Sequence, residues 1–138
     1  VLQFAFDGNP QNLYLPHNLS KDLVLYTGTH DNDTSDGWYD STDEETRSFF
    51  RNYLNTDGSA PGWDMLRHAY RSVSQLVVVL AQDLLSLGNE ARLNTPGEPC
   101  GNWQWRMTEE QFTNLRNHSC DYLREQAFLA DRFREKLR

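Results

Sequence analysis

The densest run of chemistry-bearing side chains is Thr29-His30-Asp31-Asn32-Asp33-Thr34. Imidazole can donate to a hydroxyl, and an ionised Asp accepts from two vicinal hydroxyls. A carboxylate held beside an anomeric carbon also stabilises the positive charge of an oxocarbenium-like transition state. Two other readings stand beside this one. Asp and Asn can close an Asx-rich turn by bonding nearby backbone. His30, Asp31, Asp33 and Asp36 are also of metal-ligating types, but they are crowded, and no second His or Cys group supports a metal. The site is therefore read with no metal and no cofactor. His17, His68 and His118 are scattered, and His68 falls on an expected helix as a surface or packing residue. There is no Gly-rich phosphate loop and no Gly-x-Ser-x-Gly elbow.

Next come the elements that must position this run. Leu23-Val24-Leu25-Tyr26 is apolar on both faces and leads directly into it, as a strand of a parallel sheet does. The continuous run Leu76 to Leu80 predicts another strand, with Gln82-Asp83 at its end. Val1 to Phe6 predicts a third, closed by the turn cluster Asp7-Gly8-Asn9-Pro10. Thr42 and Glu45 form a capping-box pattern ahead of a helix over 43–54. Leu66, Ala69, Tyr70 and Val73 space a second helix over about 63–73. A short helical turn is expected over 84–88, followed by a long loop over 89–107. Thr108 and Gln111 form a second capping box, and the last helix is expected over about 120–137, with Leu123, Ala127, Ala130, Phe133 and Leu137 along one face.

Strands alternating with helices predict an α/β fold with parallel pairing. Carboxylates after each of three strands suit the C-terminal rim of a (β/α)₈ barrel, and equally the carboxyl edge of a doubly wound sheet. Three strands cannot close a barrel, and they leave an unpaired edge. The chain also opens inside an apolar run with no Met. Both features lead to the expectation that it is part of a larger unit.

Composition narrows the partners. A net charge of −7 with no basic stripe excludes a phosphate-backbone binder. No apolar run approaches a membrane span. Cys100 and Cys120 have no metal-like spacing, and they are expected to be reduced thiols of a cytoplasmic protein.

Four ordered blocks make the reading more specific. They are Val1 to Phe6 with Leu15-Pro16-His17-Asn18; Val24 to Thr34 with Gly37-Trp38; Gln82-Asp83-Leu84 with Leu87-Gly88; and Ala91 to Gly97 with Gly101-Asn102-Trp103-Gln104-Trp105-Arg106. Together they resemble glycoside hydrolase family 77, the amylomaltases, over about residues 1–106. That resemblance implies a (β/α)₈ TIM barrel of which 1–138 is the C-terminal part, carrying about the last three strands. It implies a retaining 4-α-glucanotransferase that passes α-1,4-glucan segments to the 4-hydroxyl of a maltooligosaccharide or glucose acceptor. Asp31 matches the family's transition-state-stabilising carboxylate, and His30 a substrate-binding histidine. Asn94 would contact sugar hydroxyls, and Phe4 would lie near the acceptor side. Trp103 and Trp105 are expected to pack in support of their loop, and Asp83 to be structural or to act behind the site.

The family's nucleophile and acid/base match nothing here, so the chain is expected to be inactive without the N-terminal part of its barrel. A reading of a different class is a non-catalytic glucan-binding or structural module.

Overall fold

A computed structural model describes residues 1–133. Among these, two strands pair in parallel: β1 (Val24–Tyr26) and β2 (Leu76–Val78), with Leu25 opposite Val77. Thr27 extends the ladder by donating its N–H to the Val78 carbonyl at 3.3 Å. Three helices form the crossover between them: α1 (Ser35–Ser41), α2 (Glu44–Leu54) and α3 (Pro61–Arg71). After β2 come α4 (Ala81–Leu84), a 3₁₀ turn over Asn89–Ala91, and α5 (Glu109–Asn114). A π-helical turn over Leu115–Ser119 then leads into α6 (Cys120–Leu129).

The expected first strand is absent. Leu2–Phe4 is a 3₁₀ turn, with Ala5 N–H bonded to Leu2 O at 2.9 Å. The buried residues Leu2, Ala5 and Phe6 fall at i, i+3 and i+4, a helical spacing, while Phe4 turns outward. One sheet-like bond survives, from Gln3 N–H to Thr27 O at 3.2 Å. Asp7 consequently stands at no strand end.

Phe6 anchors the core, with its ring centroid 4.8 Å from Phe50, 5.6 Å from Trp38 and 6.3 Å from Tyr53. Leu2, Leu15, Leu25, Leu54, Met65 and Ala69 close around it. This cluster fixes the crossover helices against the side of β1.

Several helix ends differ from expectation. Asp43, not Thr42, caps α2: its carboxylate accepts Thr46 N–H at 2.8 Å, while Thr42 N–H already ends α1 on Trp38 O. α1 itself is unforeseen. Its sequence is polar and contains Gly37, and Thr34 Oγ1 caps it by accepting Gly37 N–H at 3.0 Å. Pro61, favoured in a first turn, opens α3 earlier than expected. α3 ends before Val73, which is exposed. The short turn expected over 84–88 lies at Ala81–Leu84.

The Thr108–Gln111 capping box forms as read, with bonds of 3.1 and 2.9 Å. α6 stops at Leu129, short of the expected 137. Arg132 there donates to the carbonyls of Tyr70, Ala69, Ser72 and Ser74, turning the chain onto the end of α3. Leu137 lies outside the described residues. Among them, no helix is long and apolar enough to cross a membrane.

Candidate active site

The polar run leaves the C-terminal end of β1 as a tight loop. Asn32 Oδ1 accepts both Thr29 N–H at 3.0 Å and Thr29 Oγ1–H at 2.8 Å, closing the turn from within. This folds Asn32 inward and leaves His30 and Asp31 outermost, with side chains 54% and 50% exposed. His30 Nε2 lies 3.3 Å from Asp31 Oδ1.

Asn94 Nδ2 donates to the same oxygen at 2.6 Å, reaching it from the loop after the 3₁₀ turn. Arg92 joins the two loops, donating from Nη2 to Asp31 O at 2.8 Å and from Nε to Asn94 O at 3.0 Å. His30, Asp31 and Asn94 therefore converge. Phe4 is not among the side chains that meet Asp31. It is half-exposed, and its ring meets Tyr14 edge-on at 5.7 Å.

The metal-type residues do not gather. Asp33 Oδ1 accepts Thr34 N–H at 2.8 Å, and its Oδ2 accepts Asn89 Nδ2 at 2.6 Å, both away from Asp31. Among the described residues, no group of three or more His, Cys, Asp or Glu side chains is placed to hold a metal ion. Asp36 lies against the first turn of α3. Burial pushes its carboxyl up to about 6, against the downward pull of Gly62 N–H, with Asp83, Asp40 and Asp64 adding repulsion.

Trp103 departs from the packing role expected of it. The residue is 53% exposed, and its ring lies 5.1 Å from the His30 ring. Its backbone is left-handed, with φ 63°, a conformation a bulky residue rarely adopts. Trp103 N–H to Leu93 O at 2.7 Å holds it there.

Behind the loop is a cavity of ≈ 70 Å³ bordered by His30, Asn32, Gln82 and Arg92. Enclosing sites for small molecules run to roughly 300–1,000 Å³, well above this cavity, and Asp31 stands half-exposed outside it. A larger groove of ≈ 350 Å³ runs along α6 beside Arg124 and Phe128, away from these residues.

Sequence reading missed Arg92, Asn89 and Gln3. Gln3 is buried and donates from Nε2 to Asp33 O at 2.8 Å. Arg92 had one visible mark, its place two residues before Asn94.

A parallel β-helix-β unit with a half-exposed carboxylate past its strand end belongs to the α/β class, whose ligands bind at the carboxyl ends of the strands. The comparisons narrow this class. Residues 1–113 match the sequence model of glycoside hydrolase family 77, described as 4-alpha-glucanotransferase. The chloroplastic/amyloplastic 4-alpha-glucanotransferase DPE1 of Arabidopsis thaliana is 44% identical over 127 residues, covering 91% of this chain and 22% of the relative. The 4-alpha-glucanotransferase of Thermus thermophilus is 44% identical over 115 residues, covering 78% and 23%. The amylomaltase from Streptococcus agalactiae, solved in complex with acarbose, superposes with a TM-score of 0.89 at 32% identity, over 97% of this chain and 27% of that one. The chain belongs to the 4-alpha-glucanotransferase family, glycoside hydrolase family 77. It spans about a quarter of the length of the relatives it matches.

Proposed function

We propose that this chain is the C-terminal part of a (β/α)₈ barrel and contributes one wall of the active site of a cytoplasmic 4-α-glucanotransferase. The observation that carries the reading is the Asp31 carboxylate, half-exposed just past the end of β1 and braced by Asn94 at 2.6 Å and His30 at 3.3 Å. That placement suits a group that faces a sugar's positive charge from the side. The amylomaltase in complex with acarbose supports an oligosaccharide as the ligand.

In a retaining transfer, one carboxylate attacks the anomeric carbon and a second protonates the leaving glucan oxygen, the two standing about 5–5.5 Å apart. The acid/base then takes a proton from the acceptor's 4-hydroxyl, and that oxygen displaces the enzyme carboxylate. Both groups come from the part of the barrel outside this span. Asp31 acts in both halves by accepting hydroxyls of the distorted ring and opposing its charge, and His30 and Asn94 orient Asp31 and the sugar. Phe4, on the same reading, borders the acceptor side.

The exposed edges of the sheet fit this arrangement. Val24 is 46% exposed and Leu76 54% exposed on strands whose composition suits burial on both faces. The remaining strands of the barrel would cover them. The isolated chain is expected to turn over no glucan.

Incubating the full-length protein with maltotriose tests the reading. Release of glucose together with longer maltooligosaccharides is the expected pattern. Intact maltotriose, or glucose and maltose formed by hydrolysis alone, would refute it.

A further inference from the structure

Asp83 is a buried carboxylate to which the proposed chemistry gives no part. It is 2% exposed, yet its oxygens take three donors from only two residues. Oδ2 accepts Thr27 Oγ1–H at 2.8 Å and Ser35 Oγ–H at 2.9 Å, and Oδ1 accepts Ser35 N–H at 2.8 Å. Thr27 is the residue after β1, and Ser35 is the first of α1. Everything between them is the 28–34 loop that carries His30 and Asp31.

Asp83 is also closely packed at its Cβ and backbone. A Cβ on Gly62 would stand 2.9 Å from Asp83 Cβ and 3.0 Å from its carbonyl oxygen, so α3 presses directly on this residue. Burial pushes the Asp83 carboxyl up, while the Ser35 and Thr27 donors oppose the shift. Taking a charge out of water is costly, and an apolar side chain would fill the same space at lower cost. What an apolar side chain could not do is hold Thr27 and Ser35 at a fixed separation. Between its ends the loop is also held by Gln3, which donates to Asp33 O and sits where a Cβ on Gly28 would come to 2.8 Å from its Nε2, by Arg92 and Asn94 on Asp31, and by Asn89 on Asp33.

We propose that Asp83 is a positioning residue for Asp31: its carboxylate ties together the two ends of the 28–34 loop and so fixes where the Asp31 carboxylate stands. This rests on the transfer chemistry proposed above.

The test uses the full-length protein, measuring maltotriose disproportionation and amide exchange of residues 29–34 well below the unfolding temperature. Asp83→Ala is expected to lower kcat about 10- to 100-fold, the scale of a reacting group displaced by about an ångström, with KM moving less than about threefold. The loop amides are expected to exchange faster. Asp83→Asn is expected to restore most of the rate. Its amide oxygen can accept Ser35 N–H, its NH₂ can donate to the hydroxyls of Thr27 and Ser35, and those hydroxyls rotate to accept.

If Asp83→Ala does not fold, Thr27→Val and Ser35→Ala decide, each removing one hydroxyl donor. Lower kcat with faster loop exchange in both supports the clamp. Parental kcat in the folded Ala variant, or in both hydroxyl variants, overturns it. So does unchanged loop exchange. An Asn variant as slow as the Ala variant would assign Asp83 an electrostatic role, and also overturns it. Should the parent itself transfer no glucan, the proposed chemistry falls, and amide exchange alone decides whether the clamp exists.

Discussion

Replacing Asp31 by Asn in the full-length protein removes a charge and almost nothing else. The side chain keeps its size, and its amide oxygen can still accept from Asn94, which now donates at 2.6 Å. The cost can be worked from the geometry. A full negative charge ~4 Å from a developing positive charge, at an effective dielectric of about 20, is worth ~4 kcal/mol. Asp31 is 50% exposed and shares its oxygen with Asn94 and His30, so solvent and donors take part of that. Allowing about half to two-thirds to survive leaves ~2–3 kcal/mol, or roughly 30- to 150-fold in kcat.

Binding of the undistorted substrate depends little on that charge, so KM is expected to move less than about threefold. The assay is initial-rate glucose release from maltotriose over a range of substrate concentrations, with parent and variant matched for melting temperature. A parental kcat would refute the reasoning. So would a loss confined to KM, which would make Asp31 a ground-state binding group.

Asn94→Ala removes the short donor to Asp31 and is expected to lower kcat/KM about tenfold, the lower part of the range for hydrogen bonds to charged groups, as read by the same glucose-release assay. Trp103→Ala frees the His30 ring and is expected to lower kcat/KM about two- to tenfold, in line with the worth of an aromatic pair, while Trp103→Phe keeps most of the rate. Asp36 is held at about 6 in the fold against an ordinary value of 3.8. Between those pH values the native state binds more protons than the unfolded chain, so this group's contribution to stability falls as pH rises. Asp36→Asn is therefore expected to melt higher than the parent at pH 7, with the difference closing towards pH 4 in a series of thermal melts. Gly62→Ala drives a Cβ into Asp83 and is expected to cost ~1–3 kcal/mol of stability, read from denaturant unfolding of the full-length protein.

What the amino-acid order disclosed follows from how local the determining contacts are. β1 and β2 are runs of apolar, largely branched residues, and their parallel pairing follows from the long crossover. The Thr29–Thr34 loop is closed by its own side chains, so an Asx-rich turn was legible in the residue types, while Asp31 and His30 were singled out within it only by the family resemblance. Val1 to Phe6 misled because a short apolar run suits a strand and a buried turn equally. Only the burial of Leu2, Ala5 and Phe6 against Phe50 and Leu25 separates the two. α1 was hidden because Gly37 and the acidic residues lower its intrinsic preference, while Thr34 supplies the cap. The bonds from Thr27 and Ser35 to Asp83 cross 56 and 48 positions of chain, beyond the reach of any local pattern. The exposure of Trp103 likewise depends on a left-handed backbone that its residue type disfavours.

Arg92 links the carbonyl of Asp31 to that of Asn94 through a single guanidinium. A strain introduced in either loop is therefore transmitted to the other through one rigid plate, and Asp31 and Asn94 shift as a pair. Substitutions in the two loops will not add as independent sites would. A replacement in one loop will read differently according to what already stands in the other, so the smallest unit on which variation can act here is both loops with the arginine between them.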